Sequence, residues 1–366
     1  MSGFFGIIRS DGAAVEQALL DRVGRALEFR GPDGTHKWKK ANAGFVFTFL
    51  NTGTPHQSHA QPVGPGGRYW LVGEVRLDAR GELTAGLREN GLLTNADTSD
   101  EELFLQCWNL WGEESLQRIR GDFSFGLWDA DRQSLYCARD FSGARPFFCA
   151  QGPGVFCFSN TLQALRLVPE ISGDLDEFFI RDFLLEGQSS DPEHTVWRAA
   201  RRLLSGHSLR FSEGKLEIQR FLQLPIEEPL LLKRPEEYLE DFRSLLKRTT
   251  SDRLPQGRVA FYLSGGLDSA SVCATAARVA PERLQAGELK AFTVSWRPLL
   301  EDPEPEYAAR TAQYLGLSHE VLEDDQILPD DETHRSYAGA DCRIFLQPCP
   351  PPMPQNLRAL TSRRFR

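Results

Sequence analysis

"YLSGGLDSASV", residues 262–272, decides the reading of this chain. An apolar run, "VAFYL" (259–263), stops abruptly at Ser264, Gly265 and Gly266. A helix of small residues, "SASVCATAARVA" (269–280), follows. A strand that runs into two glycines and then a helix exposes backbone N–H groups at the helix N-terminus. Those donors, with the positive end of the helix dipole, make an anion site. Gly265 and Gly266 permit positive φ and close approach of a phosphate. Ser264 and Ser269 add hydroxyl donors. Asp268 would repel a phosphate unless Mg2+ lies between them. The residues therefore read as a loop for nucleotide phosphate and magnesium, held by Asp268. A plain tight turn with an aspartate N-cap uses the same residues.

Around this loop the pattern is α/β. "PEEYLEDFRSLLKRTTSDRL" (235–254) reads as an amphipathic helix opened by Pro and Glu. "LKAFTVSW" (289–296) and "LSHEVLE" (317–323) read as strands, with a helix at "EPEYAARTAQYLG" (304–316) between them. Strands alternating with helices predict a parallel sheet. The first 222 residues differ. "FFGIIRS" (4–10), "AGFVFTFL" (43–50) and "RYWLVGEVRL" (68–77) are strand-like and bounded by Gly, Pro or Asn. "AVEQALLDRVGRALEF" (14–29), "SDEELFLQCWNLWG" (99–112) and "LDEFFIRDFLLEG" (175–187) are helical. The second opens on Ser-Asp before two glutamates, an N-cap followed by acids in the first turn. Residues 123–140, 145–160 and 207–222 read as hairpins. Runs of strands with helices between them predict an α+β sandwich. Three prolines in "QLPIEEPLLLKRP" (223–235) mark a linker. The expected organisation is one domain over 1–222, a second over 223–341, and an aberrant Pro/Arg-rich tail over 342–366.

Composition narrows the function. The 366 residues carry a net charge of −9, so no global basic field draws nucleic acid or an anionic membrane. The tail holds five arginines and no acid, with two phenylalanines among them, Phe345 and Phe365, and reads as a solvated end. No apolar run reaches the ~18 residues that span a bilayer, and "MSGFFGIIRSDG" lacks the charged and apolar regions of a signal peptide. Seven cysteines with no C-x-x-C fit a reducing cytosol rather than a disulfide framework. The expected location is therefore cytoplasmic. "HQSH" (56–59) reads as a loop with no third metal ligand.

S-G-G-L-D-S after an apolar strand resembles the pyrophosphate loop of the N-type ATP pyrophosphatases, and its form here is similar to that of the asparagine synthetase family. The N-terminal half carries matching elements in family order: "MSGFFG" (1–6), "FRGPDG" (29–34), "HAQPV" (59–63), "SDEELFL" (99–105), "GDFSFGLWD" (121–129), "ARDFSGARPFF" (138–148) and "LLSGHSLRF" (203–211). The resemblance covers about residues 2 to 323. It implies an N-terminal nucleophile (Ntn) glutaminase-like αββα domain, then an ATP pyrophosphatase domain. It implies ATP and Mg2+, with the adenine held by backbone near Leu263 and Val294. The loop Ser264, Gly265, Gly266, Leu267, Asp268 and Ser269 would hold the pyrophosphate. The reaction implied is adenylation of a small-molecule or peptide carboxylate, then attack by an amine or ammonia. A homodimer through the N-terminal domain is the family expectation.

The sequence departs from that pattern in two places. Glutamine-using members have cysteine at the second residue, and its free α-amine serves as base once methionine is removed. Here the position is Ser2. The family's N-G-E motif supplies an oxyanion-hole asparagine, but residues 72–74 read "VGE", and Val72 has no side-chain donor. One missing oxyanion donor costs about 10²–10³ in rate. Residues 41 to 60 contain no Lys or Arg for glutamine's carboxylate. Gly73, Glu74 and Asp100 remain where glutamine would be held. The expectation is a degenerate glutaminase. Second, the family's later S-G-E-G-x-D-E motif and its lysine have no counterpart before residue 366, and the switch of composition at about 342 is that of a truncation or frameshift. The alternatives are an intramolecular cyclase similar to β-lactam synthetases and lasso peptide cyclases, to which "RLDARGEL" (76–83) also points, or a non-catalytic remnant or partner subunit.

Overall fold

The structure is a computed structural model that describes residues 1–52, 56, 58, 60–92, 94–95, 97–223, 229–295, 297 and 301–323. The 342–366 tail, most of the acidic stretch before it, and Gln57 and His59 of "HQSH" lie outside the described residues. The described residues fall into two compact units, the first ending at 223 and the second beginning at 229.

The first unit contains β1 (Gly3–Arg9), α1 (Gln17–Leu27), β2 (Gly34–Lys40), β3 (Ala43–Phe49), β4 (Tyr69–Asp78), α2 (Arg80–Glu89), α3 (Asp100–Trp111), α4 (Ser115–Arg118), β5 (Arg120–Asp129), β6 (Ser134–Arg139), β7 (Phe148–Gly152), β8 (Val155–Ser159), α5 (Leu162–Leu165), α6 (Glu177–Glu186), β9 (Ala200–Arg202), β10 (His207–Ser212) and β11 (Lys215–Arg220). They build two antiparallel sheets, ordered β2-β3-β1-β8-β7-β9 and β11-β10-β6-β5-β4.

The period-2 alternation of each strand sets the layers. In β1, Phe5 and Ile7 pack with Leu19, Leu20, Val23 and Leu27 of α1. Phe4 and Ile8, on the other face, pack with Val72, Trp128 and Cys137 of the second sheet. In β5, Phe123, Phe125 and Leu127 pack outward with Leu103, Phe104 and Cys107 of α3. Helix, sheet, sheet, helix is the order of layers, an Ntn-type αββα sandwich. Phe158 of β8 crosses the inter-sheet core, and a Cβ on Gly6 or on Gly126 would overlap its ring. Ser99 forms a full capping box with Glu102 at the start of α3.

The sequence pattern does not mark β2, α2, α4, α5 or β9 of this unit. "GTHKWKK" forms β2, an edge strand whose polar residues hide it from any hydrophobic alternation. β9 has three residues, and α2 follows a left-handed N-cap at Ala79 with no side-chain cap.

The second unit holds α7 (Pro235–Arg253), β12 (Val259–Tyr262), α8 (Leu267–Val279), α9 (Pro281–Gln285), β13 (Leu289–Ser295), α10 (Glu304–Leu315) and β14 (Ser318–Glu323). The strands form a parallel sheet ordered β12-β13-β14, the incomplete α/β sheet of the sequence reading. Its core joins Leu263, Cys273, Leu289, Ala291, Ala308, Ala312 and Leu317. Along β13 the buried residues are Leu289, Ala291, Thr293 and Ser295, while Lys290, Phe292 and Val294 are only half-buried. A parallel sheet is normally covered on both faces; among the described residues one face of β13 is covered more fully than the other. α7 buries none of its nineteen residues and exposes Tyr238, Leu239, Phe242 and Leu245.

Candidate functional site

The loop quoted at the outset leaves the C-terminal end of β12 and enters α8. Leu263 is fully buried and donates its N–H to the Phe292 carbonyl at 2.8 Å. The Ser264 N–H donates to Ser269 Oγ at 3.1 Å, the two hydroxyls lie 2.9 Å apart, and the Gly266 N–H donates to Ser264 Oγ at 3.2 Å. The serines thus tie the start of the loop to the first turn of the helix. The helix begins at Leu267, two residues before the sequence pattern places it, so Asp268 stands in its first turn and is exposed.

Positive φ, expected of the glycines, is not used. Gly266 has φ −83°, and Gly265 is not among the residues with positive φ. The glycine serves close approach instead: a Cβ on Gly265 would come within 3.1 Å of Tyr307. Among the described residues no side chain caps α8, which leaves its first-turn N–H groups without an intrahelical partner. Among the described residues no three His, Cys, Asp or Glu side chains cluster to hold a metal. Asp268 would hold Mg2+ only together with phosphate oxygens, which is the usual way magnesium binds. The residues therefore fit a nucleotide phosphate with its ion. Val294, half-buried at the C-terminal end of β13, belongs to the same end of the sheet.

In the first unit the expected glutamine residues are otherwise engaged. Ser2 is buried; its Oγ accepts from the Leu50 N–H at 3.1 Å, and its carbonyl accepts from Asn160 Nδ2 at 2.8 Å. Val72 lies in the inter-sheet core beside Phe4 and Phe158, an apolar side chain in an apolar setting. The Gly73 N–H donates to Gln61 Oε1 at 2.8 Å, and Gln61 Nε2 donates to buried Glu101 at 3.1 Å. Burial pushes the Glu101 carboxyl up to about 8. Glu74 faces Arg145, with Oε2 and Nη1 3.8 Å apart, and among the described residues its buried Oε2 accepts no hydrogen bond. Asp100 accepts from the Leu77 N–H at 3.0 Å and from Arg80 Nη1 in a short ion pair, while Arg80 Nη2 donates to the Thr98 carbonyl at 2.7 Å. Burial raises the Asp100 pKa against these contacts.

Asp100, expected where glutamine would be held, is paired in this structure with a guanidinium from α2. Arg80 lies within the quoted "RLDARGEL", but nothing in the string itself announces its partner. Gln61 and Arg145 lie within the quoted "HAQPV" and "ARDFSGARPFF", and neither string announces its partner.

Antiparallel Ntn sandwich and parallel loop-bearing sheet together define a glutamine amidotransferase-type domain joined to a nucleotide-loop domain of ligase type. The glutamine amidotransferase domain model matches residues 1–222, and the asparagine synthase model matches residues 241–340. The chain belongs to the asparagine synthetase family, a family of ATP-dependent, amidotransferase-type ligases. It is 27% identical over 266 residues to asparagine synthetase [glutamine-hydrolyzing] 3 of Bacillus subtilis, covering 72% of this chain and 43% of the relative. A putative asparagine synthetase [glutamine-hydrolyzing] of Mycobacterium tuberculosis H37Rv is 32% identical over 293 residues, covering 74% of this chain and 44% of that one. The chain thus spans less than half the length of these relatives. Among solved structures, the glutamine phosphoribosylpyrophosphate amidotransferase of B. subtilis, complexed with ADP and GMP, aligns at 13% identity with a TM-score of 0.44, over 88% of this chain and 80% of that chain. Among the described residues no helix is long and apolar enough to cross a membrane.

Proposed function

We propose that this chain carries the ATP-binding loop of an amide-forming ligase and an N-terminal domain that does not hydrolyse glutamine. The observation that carries the first part is the loop itself: a strand end, a Ser264–Ser269 hydroxyl pair and an uncapped helix N-terminus beside an exposed carboxylate. Bound ATP with Mg2+ would supply an AMP group that activates a substrate carboxylate toward an amine. The chain's own residues have defined tasks. Gly265, Gly266 and the first-turn N–H groups of α8 bind the pyrophosphate. Asp268 holds the ion against it, and the backbone at Leu263 and Val294 receives the adenine.

The second part rests on the Arg80–Asp100 ion pair and on Val72. With the glutamine-amine position filled, the amine is free ammonia or belongs to the substrate itself. The latter is the chemistry of the intramolecular cyclases that "RLDARGEL" resembles. Asp100, Glu74 and Gly73 then serve as scaffold.

Calorimetry with ATP and Mg2+ tests the first part. Binding that needs magnesium and is lost in Asp268→Ala supports it; magnesium-independent binding, or equal binding by the variant, overturns it. An ammonia-release assay with glutamine tests the second. Release no greater than that of Ser2→Ala is expected, and Ser2-dependent release sinks it. Pyrophosphate release on addition of a carboxylate and an amine separates a ligase from a subunit that only binds nucleotide.

A further inference from the structure

Thr293 occupies a buried position of β13 and is 1% exposed. Its Oγ1 lies 2.6 Å from the Leu263 carbonyl oxygen and 2.7 Å from Nε2 of His319 in β14. A threonine hydroxyl has one proton, and a carbonyl can only accept. Two oxygens 2.6 Å apart need a proton between them. That proton is the hydroxyl's own, so the hydroxyl has none left for His319, and His319 must donate to it from Nε2. The donor inventory assigns the tautomer without any hydrogen being seen. Burial lowers the His319 pKa, which favours the neutral ring.

Beyond His319 and Thr293 stands the loop. The β12–β13 ladder ends at Tyr262 and Phe292, with the Leu263 N–H to Phe292 bond closing it. The next acceptor, the Leu263 carbonyl, is taken by a side chain. The N–H on the far side of the same peptide, that of Ser264, goes to Ser269 Oγ. A trans peptide points its C=O and N–H in opposite directions. Two bonds on opposite sides therefore fix the rotation of the peptide from which Ser264, Gly265 and Gly266 depart.

We infer that His319, as its Nε2–H tautomer, is a positioning residue that acts through Thr293 to orient the Leu263–Ser264 peptide and with it the nucleotide loop. This rests on the reading of that loop as a nucleotide site. One intramolecular hydrogen bond contributes modestly, so losing it lowers ATP affinity on the order of fivefold.

The test uses the full chain and two readouts. The first is long-range ¹H–¹⁵N NMR of the histidine rings without nucleotide, with His319 assigned by its disappearance in His319→Gln. An Nε2–H pattern supports the relay; an Nδ1–H pattern overturns it. The second is ATP·Mg2+ affinity by calorimetry. Thr293→Val and His319→Leu should weaken binding by the stated factor. Thr293→Ser, which keeps the hydroxyl, and His319→Gln, whose amide nitrogen can donate where Nε2 does, should restore it. Unchanged affinity in both Thr293→Val and His319→Leu overturns the positioning role. If the wild-type chain binds no ATP, the nucleotide reading of the loop fails, and the tautomer alone then decides for or against the relay.

Discussion

Replacing Arg80 by glutamine should unfold the N-terminal unit more easily, and the size of the effect follows from burial. The Asp100 side chain is 7% exposed and that of Arg80 is 20% exposed. Removing one partner of a fully buried pair costs about 3–5 kcal/mol, because the other charge is stranded. Here Asp100 keeps the Leu77 N–H, and water reaches the arginine side, so about 2–3 kcal/mol is expected at pH 7. The loss should shrink in acid. Burial already raises the folded Asp100 pKa above its unfolded value. A raised carboxyl contributes stability below the unfolded pKa and loses it as pH rises through the folded pKa. Without Arg80 that folded pKa rises further. The variant should therefore lag the wild type at pH 7 and approach it once the carboxyl is protonated in both states. The double variant Arg80→Gln/Asp100→Asn should recover most of the loss, since neither partner is left charged. Urea unfolding followed by tryptophan fluorescence reads this unit, which holds six of the seven tryptophans. A loss below about 0.5 kcal/mol at pH 7, the range of an ordinary surface change, would refute the claim that Arg80 fills the Asp100 site.

Glu101 gives an independent pH dependence. Its carboxyl is raised from 4.5 to about 8, so its contribution is present below pH 4.5 and is lost as the pH rises toward 8; stability of the wild type should fall across that window, and Glu101→Gln should flatten the fall, as equilibrium unfolding at pH 5 and pH 8 would reveal. Gly126→Ala pushes a methyl into the Phe158 ring from the opposite sheet and should cost about 1–3 kcal/mol, read as a lower urea midpoint; a neutral result means the sheets are not held apart by that ring. Ser99→Ala removes the α3 capping box and should cost about 1 kcal/mol, with Ser99→Asp recovering most of it in the same assay.

Much of this protein was legible in its residues. The alternation in "FFGIIRS", "AGFVFTFL" and "FSFGLWD" marked the sandwich strands, and Ser99 with Glu102 marked the start of α3. The apolar run ending in Ser264-Gly265-Gly266 marked the loop between strand and helix. Each of these signals acts over a few residues: a side-chain period, a cap, a turn. The sequence also carried a loss that needs no geometry, since Val72 has no donor wherever it sits.

What only the tertiary structure decided lies in pairings between distant residues. Arg80 and Asp100 are 20 positions apart, Thr293 and His319 are 26 apart, and Leu263 and Thr293 are 30 apart. Whether such groups meet depends on helix placement and strand register, because a slip of one residue would turn Thr293 to the other face of its sheet. The same holds for Phe158, whose space exists only because glycines stand at position 6 of its own sheet and position 126 of the facing one. Local chemistry set the elements and the loop; packing of sheets and helices set which side chain fills which site.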